Sequence, residues 1–356
     1  MMRSSTPTST GSIHAKSPRA RESEHSRPRP PRKSTSAPCG AYSVAHWENY
    51  YRGGALASCP LGQPGAGYSL EMREVWLAFF SDLPEAAQVL DVGTGNGVIA
   101  LFAKEAASAA GRHYEIHGTD LAQIDPVRDV RDGAALFTGI CFHPGVSTER
   151  LPFGPGAFVA VSGQYALEYT QVDAALREVF RVLKPGGHAQ FIVHHAGSVL
   201  VHNAHESLRQ SDLVLNDTKV FRKLRRHLEA ERRSAVAARA TWQQLVEAMT
   251  LLRRTAAQAR PALTLDITVD AVGKLLDARR ELHPAALERE IDRVENDVRA
   301  SVRRLQDLVI HAQSVEAIAE IERMARAGGF GGCSAQLQHH AGQNLVGWRL
   351  NFEKPS

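Results

Sequence analysis

Residues 89–101 read Val-Leu-Asp-Val-Gly-Thr-Gly-Asn-Gly-Val-Ile-Ala-Leu. An apolar run ends near Asp91, glycines stand at 93, 95 and 97, and an apolar helical pattern follows. Bare backbone at alternate positions lets the chain turn sharply and approach a ligand closely. The helix that follows offers free N–H groups in its first turn. This is a strand, a glycine loop and a helix, the opening unit of an α/β sheet.

Two ligands suit the loop. From Gly95 the chain matches G-x-G-x-x-A, and Asp120 lies at a suitable distance to hold a ribose, as in a dinucleotide site. The other ligand is S-adenosylmethionine, whose sulfonium and ammonium are cationic. A carboxylate at the strand end, as Asp91 supplies, attracts such a cation and repels a pyrophosphate.

Outward from the loop, strand and helix patterns alternate. HYEIHGTD reads as a second strand ending in Asp120, GICFHPGV as a short third, GAFVAVSGQYAL as a fourth and HAQFIVHH as a fifth. PVRDVRDGAAL and DAALREVFRVL read as intervening helices. Such alternation implies a parallel sheet covered on both faces. Near the end, SVEAIAEIERMARAGGF reads as a helix, and GCSAQLQHH and NLVGWRLNFEK as an antiparallel hairpin.

The chain resembles the class I S-adenosylmethionine-dependent methyltransferases. The motifs are Asp91-Val92-Gly93-Thr94-Gly95-Asn96-Gly97, Asp120, Leu151-Pro152-Phe153 and Leu183-Lys184-Pro185-Gly186-Gly187, in the family's order. The resemblance implies a Rossmann-like α/β fold with a seven-stranded, mostly parallel sheet and an antiparallel last strand. It implies S-adenosyl-L-methionine as cofactor, held by Asp91, Gly93, Thr94, Gly95, Asn96, Gly97, Asp120, Leu121 and Gln164. Asp120 would bind the ribose hydroxyls. The chain departs from the family after the third strand, where His143-Pro144-Gly145-Val146-Ser147 stands in place of a carboxylate near the adenine. It departs again at Val159, where many relatives have Asp after the phenylalanine.

The rest of the chain sets the organisation. Residues 1–40 hold eight Lys/Arg against Glu22 and Glu24 and almost no large apolar side chain, so a disordered basic tail is expected there. Residues 41–197 read as the core with N-terminal helices, 198–313 as a helical insertion after the fifth strand, and 314–356 as the helix and hairpin that complete the core. In the insertion apolar residues recur at three and four, as in Trp242, Leu245, Met249, Leu252 and again from Leu287 to Leu305. Two or three long helices are expected, serving as a lid or a dimerisation surface. The run Arg222-Lys223-Leu224-Arg225-Arg226 is the main hint of an acidic partner, but no aromatic residues interleave it for base stacking.

Composition excludes other classes. No apolar run approaches the roughly 20 residues of a membrane span. The four cysteines form no C-x-x-C pair, which argues against a structural zinc site or a disulfide scaffold. No apolar leader core stands at the N-terminus, so a cytoplasmic protein is expected. The histidines of HHAGSVLVHNAH lack a carboxylate at metal-binding spacing, so no metal is expected.

Ligands in open α/β sheets bind at the C-terminal ends of the strands. Gln164, Tyr165 and Glu168 follow the fourth strand, and His194 and His195 end the fifth. A histidine there can act as a base near neutral pH, which makes His194 and His195 the catalytic candidates. The expected function is methyl transfer to a small-molecule acceptor. The alternatives are an RNA or protein methyltransferase that docks through the insertion and tail, and a cofactor-binding module without turnover.

Overall fold

The computed structural model describes residues 44–57 and 69–356. The basic stretch 1–40 lies outside the described residues. Seven strands form one sheet, in the order β3-β2-β1-β4-β5-β7-β6. They are β1 (Ala87–Val92), β2 (Tyr114–Asp120), β3 (Ile140–Pro144), β4 (Phe158–Gln164), β5 (Leu183–His194), β6 (Gly332–His340) and β7 (Asn344–Glu353). The first five pair in parallel, and β7 runs antiparallel between β5 and β6. The sheet order reverses its direction between β1 and β4, so the ends of those two strands flank a crevice. The Leu-Lys-Pro-Gly-Gly stretch, which reads as a turn, is the start of β5; Gly186 has φ 73° and the register with β4 shifts there.

Consecutive strand residues bury on opposite faces, as the two-residue period of a pleated strand requires. Val89 joins a core with Met72, Trp76 and Phe80 from α2 (Leu70–Ser81) and Ile99 and Phe102 from α3 (Val98–Ala109). Leu90 joins the opposite core with Leu176 and Val179 from α6 (Val172–Val182), beside Phe191 of β5. Ser69 caps α2 by accepting from the Met72 N–H. Two short helices, α4 (Pro126–Asp129) and α5 (Gly133–Leu136), link β2 to β3, and a 3-10 turn, Leu167–Tyr169, follows β4. Ahead of them all stands α1 (Ala45–Arg52).

Between β5 and residue 314, where the returning helix begins, lie five α-helices rather than two or three. They are α7 (Val199–Asp212), α8 (Val220–Arg233), α9 (Ala235–Gln258), α10 (Leu263–Ala278) and α11 (Pro284–His311). A π-turn (Leu213–Asp217) follows α7, and Lys219 at φ 49° then ends the helical path. Ser234, fully extended, caps α9 by accepting from the Ala237 N–H. The helices bury a core of their own, including Phe221, Leu224, Leu245, Leu252, Leu265, Val272, Leu287 and Ile291. Trp242 of the expected seam stays 43% exposed. Arg225 on α8 meets three acids of α11, Glu288, Asp292 and Glu295, at 2.6, 2.6 and 2.7 Å. The chain then returns through α12 (Val315–Ala327) to β6.

Phe191 is fully buried under the sheet. Its replacement by alanine should cost about 3–5 kcal/mol, read as a lower urea midpoint. An unchanged midpoint would contradict the packing described.

Candidate functional site

The glycine loop follows directly from β1. Gly93, Gly95 and Gly97 have φ of 61°, 52° and 85°, a region that side-chain-bearing residues rarely take. Space explains them as well. A Cβ on Gly93 would come within 2.3 Å of the Ala166 methyl, and one on Gly95 within 2.6 Å of the Tyr51 ring. The Thr94 N–H donates to the Thr119 carbonyl, which ties the loop to β2.

Two carboxylates are buried at this bend. Asp91 accepts from the Thr94 hydroxyl at 2.6 Å and from the Ser162 hydroxyl at 2.8 Å. Asp120 accepts from the Gly95 N–H and the Ala122 N–H, each at 2.8 Å. Among the described residues neither is paired with a Lys, Arg or His side chain. Burial pushes Asp91 up to about 7 and Asp120 up to about 6, against the hydrogen bonds that lower them. Among the described residues, Asn96 Oδ1, Thr119 Oγ1 and Gln164 Nε2 near the bend are also buried without a hydrogen-bond partner. Gln164 is oriented by Trp76, whose Nε1–H donates to its Oε1 at 2.5 Å.

A roof of aromatic rings stands over the loop. Asn96 Nδ2 donates to the Tyr51 and Ala55 carbonyls, holding the end of α1 against the glycines. Trp47 stacks on Tyr51, with centroids 6.0 Å apart, and meets Tyr169 edge-on at 6.0 Å. The other side of α1 is held by α11. His46 Nε2 lies 2.7 Å from Asp307 Oδ2, and the Arg304 guanidinium covers the Tyr50 ring at 4.6 Å.

The expected site residues sort clearly. Asp91, Thr94, Asn96, Asp120 and Gln164 are all buried around the bend, whereas Leu121 is 48% exposed. The segment after β3 is tied back by its main chain: the Val146 N–H donates to the Asp120 carbonyl and the Gly145 N–H to that of Ala122. His194 is buried and bonded to Glu168. The neighbouring His195 stacks on Trp348 at 4.8 Å, accepts the Gly197 N–H on Nδ1, and has its pKa lowered by burial. Sequence reasoning missed Ser162, Trp76 and the ring of Tyr51. Ser162 was findable, since it stands opposite Asp91 in the β1–β4 register. Tyr51 was not, because its contact spans the distance from α1 to the loop.

Residues 89–187 match the family described as "Methyltransferase domain". The chain carries a class I methyltransferase domain. The ubiquinone/menaquinone biosynthesis C-methyltransferase UbiE of Xanthomonas oryzae pv. oryzae is 30% identical over 128 residues, covering 35% of this chain and 50% of that protein. The protein of the same name from Neisseria meningitidis is 32% identical over 127 residues, 33% of this chain and 49% of that one. The chain thus spans about half the length of the curated relatives it matches. A solved S-adenosylmethionine-dependent methyltransferase from Mesorhizobium loti is 25% identical, covers 35% of this chain and 52% of that chain, and superposes with a TM-score of 0.28. The cofactor of the methyltransferase class is S-adenosylmethionine, and the residues at the bend fit it. Asp91, buried with no Lys, Arg or His partner among the described residues, would favour a cationic group, Asp120 would hold hydroxyls, and Gln164 Nε2, buried without a partner among the described residues, would donate to a carboxylate.

The raised carboxylates give the methyltransferase domain a pH signature. Each folded-state value lies above the ordinary 3.8. From about pH 4 to about pH 7 the folded chain therefore binds more protons than the unfolded one, and this contribution to stability falls as pH rises. Asp91→Asn should raise the ligand-free melting temperature at pH 8, and the gain should shrink at pH 5. Scanning fluorimetry measures both. A lower melting temperature at pH 8 would mean that the bonds from Thr94 and Ser162 outweigh the buried charge.

Proposed function

We propose that this protein transfers the methyl group of S-adenosylmethionine to a small-molecule acceptor in the cytoplasm. The observation that carries the reading is the pair of buried carboxylates, Asp91 and Asp120, without a cation of the chain's own beside the bare glycine loop. When bound, the cofactor supplies a methyl already activated by its sulfonium. The protein's task is then to position the acceptor and exclude water.

Each polar residue of the bend has a part in that task. Asp120 keeps lone pairs for ribose hydroxyls while its two oxygens hold Gly95 and Ala122 in place. Asp91 sets a negative potential at the end of β1, favouring a cation and opposing a diphosphate. Gln164, fixed by Trp76, offers its amide hydrogens. The aromatic roof from Trp47 to Tyr169 supports the exclusion of water.

A small acceptor is favoured over RNA or protein on two grounds. The relatives named above are methyltransferases of quinone biosynthesis. The basic run of α8 is also partly consumed within the fold, because Arg225 is bound to three acids of α11. Among the described residues no helix is long and apolar enough to cross a membrane.

Labelled-methyl transfer into a fractionated cell extract tests the reading. Label should enter the small-molecule fraction; label in RNA or protein would overturn the acceptor class, and no label in any fraction would overturn the activity. Asp120→Ala should weaken S-adenosylhomocysteine binding at least tenfold in calorimetry, since it removes both the ribose acceptor and the tie to Gly95. Unchanged affinity would show that the cofactor lies elsewhere.

A further inference from the structure

We propose that the outer side of α9, with the basic face of α8 beside it, is a docking surface for a membrane that bears anionic phospholipid. The docking would hold the protein at a lipid surface whatever acceptor the bend serves, so it is independent of the methyl-transfer reading.

Charge is divided within the helical insertion. The helices α8 and α9 together hold nine Lys/Arg against three Glu, whereas α10 and α11 hold six Lys/Arg against nine Asp/Glu. The three glutamates of the basic pair are all engaged: Glu229 by Arg233, Glu231 by Arg279 and Glu247 by the Gln243 amide. Arg225 is spent on the acids of α11. Arg222, Arg226, Arg232, Arg239, Arg253 and Arg254 remain exposed, and none of them forms an ion pair among the described residues. Like charges gathered in this way repel one another, and an anionic surface relieves that cost.

Apolar side chains stand in the same field. Val236, Trp242 and Val246 of α9 are 84%, 43% and 41% exposed. Arg239, Trp242, Val246 and Arg253 follow one another at three, four and seven residues, so they form a single stripe along one side of the helix. The neighbouring side, with Leu245, Met249 and Leu252, is buried in the core of the insertion. Trp242 is held in place: its ring lies on the imidazole of His227, a buried residue of α8, with centroids 5.0 Å apart. Arginines bracketing a fixed indole and a valine match the boundary of a bilayer. There an indole settles at the level of the headgroups, and guanidinium groups reach the phosphates while their stems cover apolar surface.

Nucleic acid is the poorer match. Trp242 is the one exposed aromatic ring on α8 and α9, and single strands are bound by stacking successive bases on several. A phosphodiester backbone takes arginines but has no use for exposed valines.

The test uses the full chain and vesicles of phosphatidylglycerol and phosphatidylcholine in equal parts. Wild-type protein should co-sediment with them, should not co-sediment with pure phosphatidylcholine, and should be released as salt rises from about 0.1 M to 1 M. The double substitution Arg239→Gln and Arg253→Gln should weaken vesicle affinity about tenfold or more, since each arginine near an anionic surface contributes to binding. Arg222→Gln with Arg226→Gln, on the other helix, should also weaken it. Neither pair should change the melting temperature, because these arginines are exposed and unpaired. Vesicles should shift the tryptophan emission to the blue, and Trp242→Phe, which keeps a ring on His227, should remove that shift. Wild-type protein that stays in the supernatant overturns the proposal. So does vesicle affinity unchanged in both arginine pairs, which would assign the binding to the basic stretch 1–40. Equal binding to pure phosphatidylcholine overturns it too, as does a blue shift that survives in Trp242→Phe. Retention of labelled RNA on a filter, without binding to vesicles, would make the surface a nucleic-acid site instead.

Discussion

Two carboxyl groups held out of water at neighbouring strand ends organise this molecule. Asp91 and Asp120 are kept in place by hydroxyls and main-chain N–H groups rather than by cations. Gly93 and Gly95 of the loop must then carry no side chain, because Ala166 and Tyr51 fill the space where their Cβ atoms would go. Around that constraint the sheet supplies rigid ends, α2 supplies Trp76 to orient Gln164, and α1 supplies the covering rings. The burial cost of the two acids is borne by the packed sheet on either side.

How much of this was readable depended on how local the signal was. The glycine loop is a run of adjacent residues, so its bend and its two acids were legible. The strands were legible for the same reason, since apolar runs bounded by turn residues need no tertiary information. The five-helix insertion was not resolved as such. Ser234 interrupts what reads as one long helix, and its role as a cap emerges only when its extended backbone is seen. Lys219, in a left-handed conformation, gives no compositional sign of ending a helix.

The site shows the same division. Glu168 and His194 both stood at strand ends in the sequence, yet their bond depends on the relative reach of β4 and β5. Their neighbours in sequence diverge: His194 turns into the protein, and His195 turns onto Trp348. Two histidines side by side look equivalent in a sequence, and the alternation of a strand makes them opposites. The covering role of α1 rests on contacts with α11 through His46 and Arg304, partners distant in the chain.

The chain leaves the sheet and comes back to it at a single rung. The His194 carbonyl accepts the Gln313 N–H at 2.7 Å, and the Ala196 N–H donates to the Gln313 carbonyl at 3.0 Å. Trp348 seals the joint by donating its indole N–H to that same carbonyl. Entry and exit of the five helices are thus already side by side once β5 and β7 have formed. The helices amount to a detour with its ends stapled together, so their length adds little to the entropy of closing the sheet. A detour of that kind can be lengthened, shortened or exchanged over evolutionary time without disturbing the strands it springs from, which makes this rung a natural point for the fold to diversify.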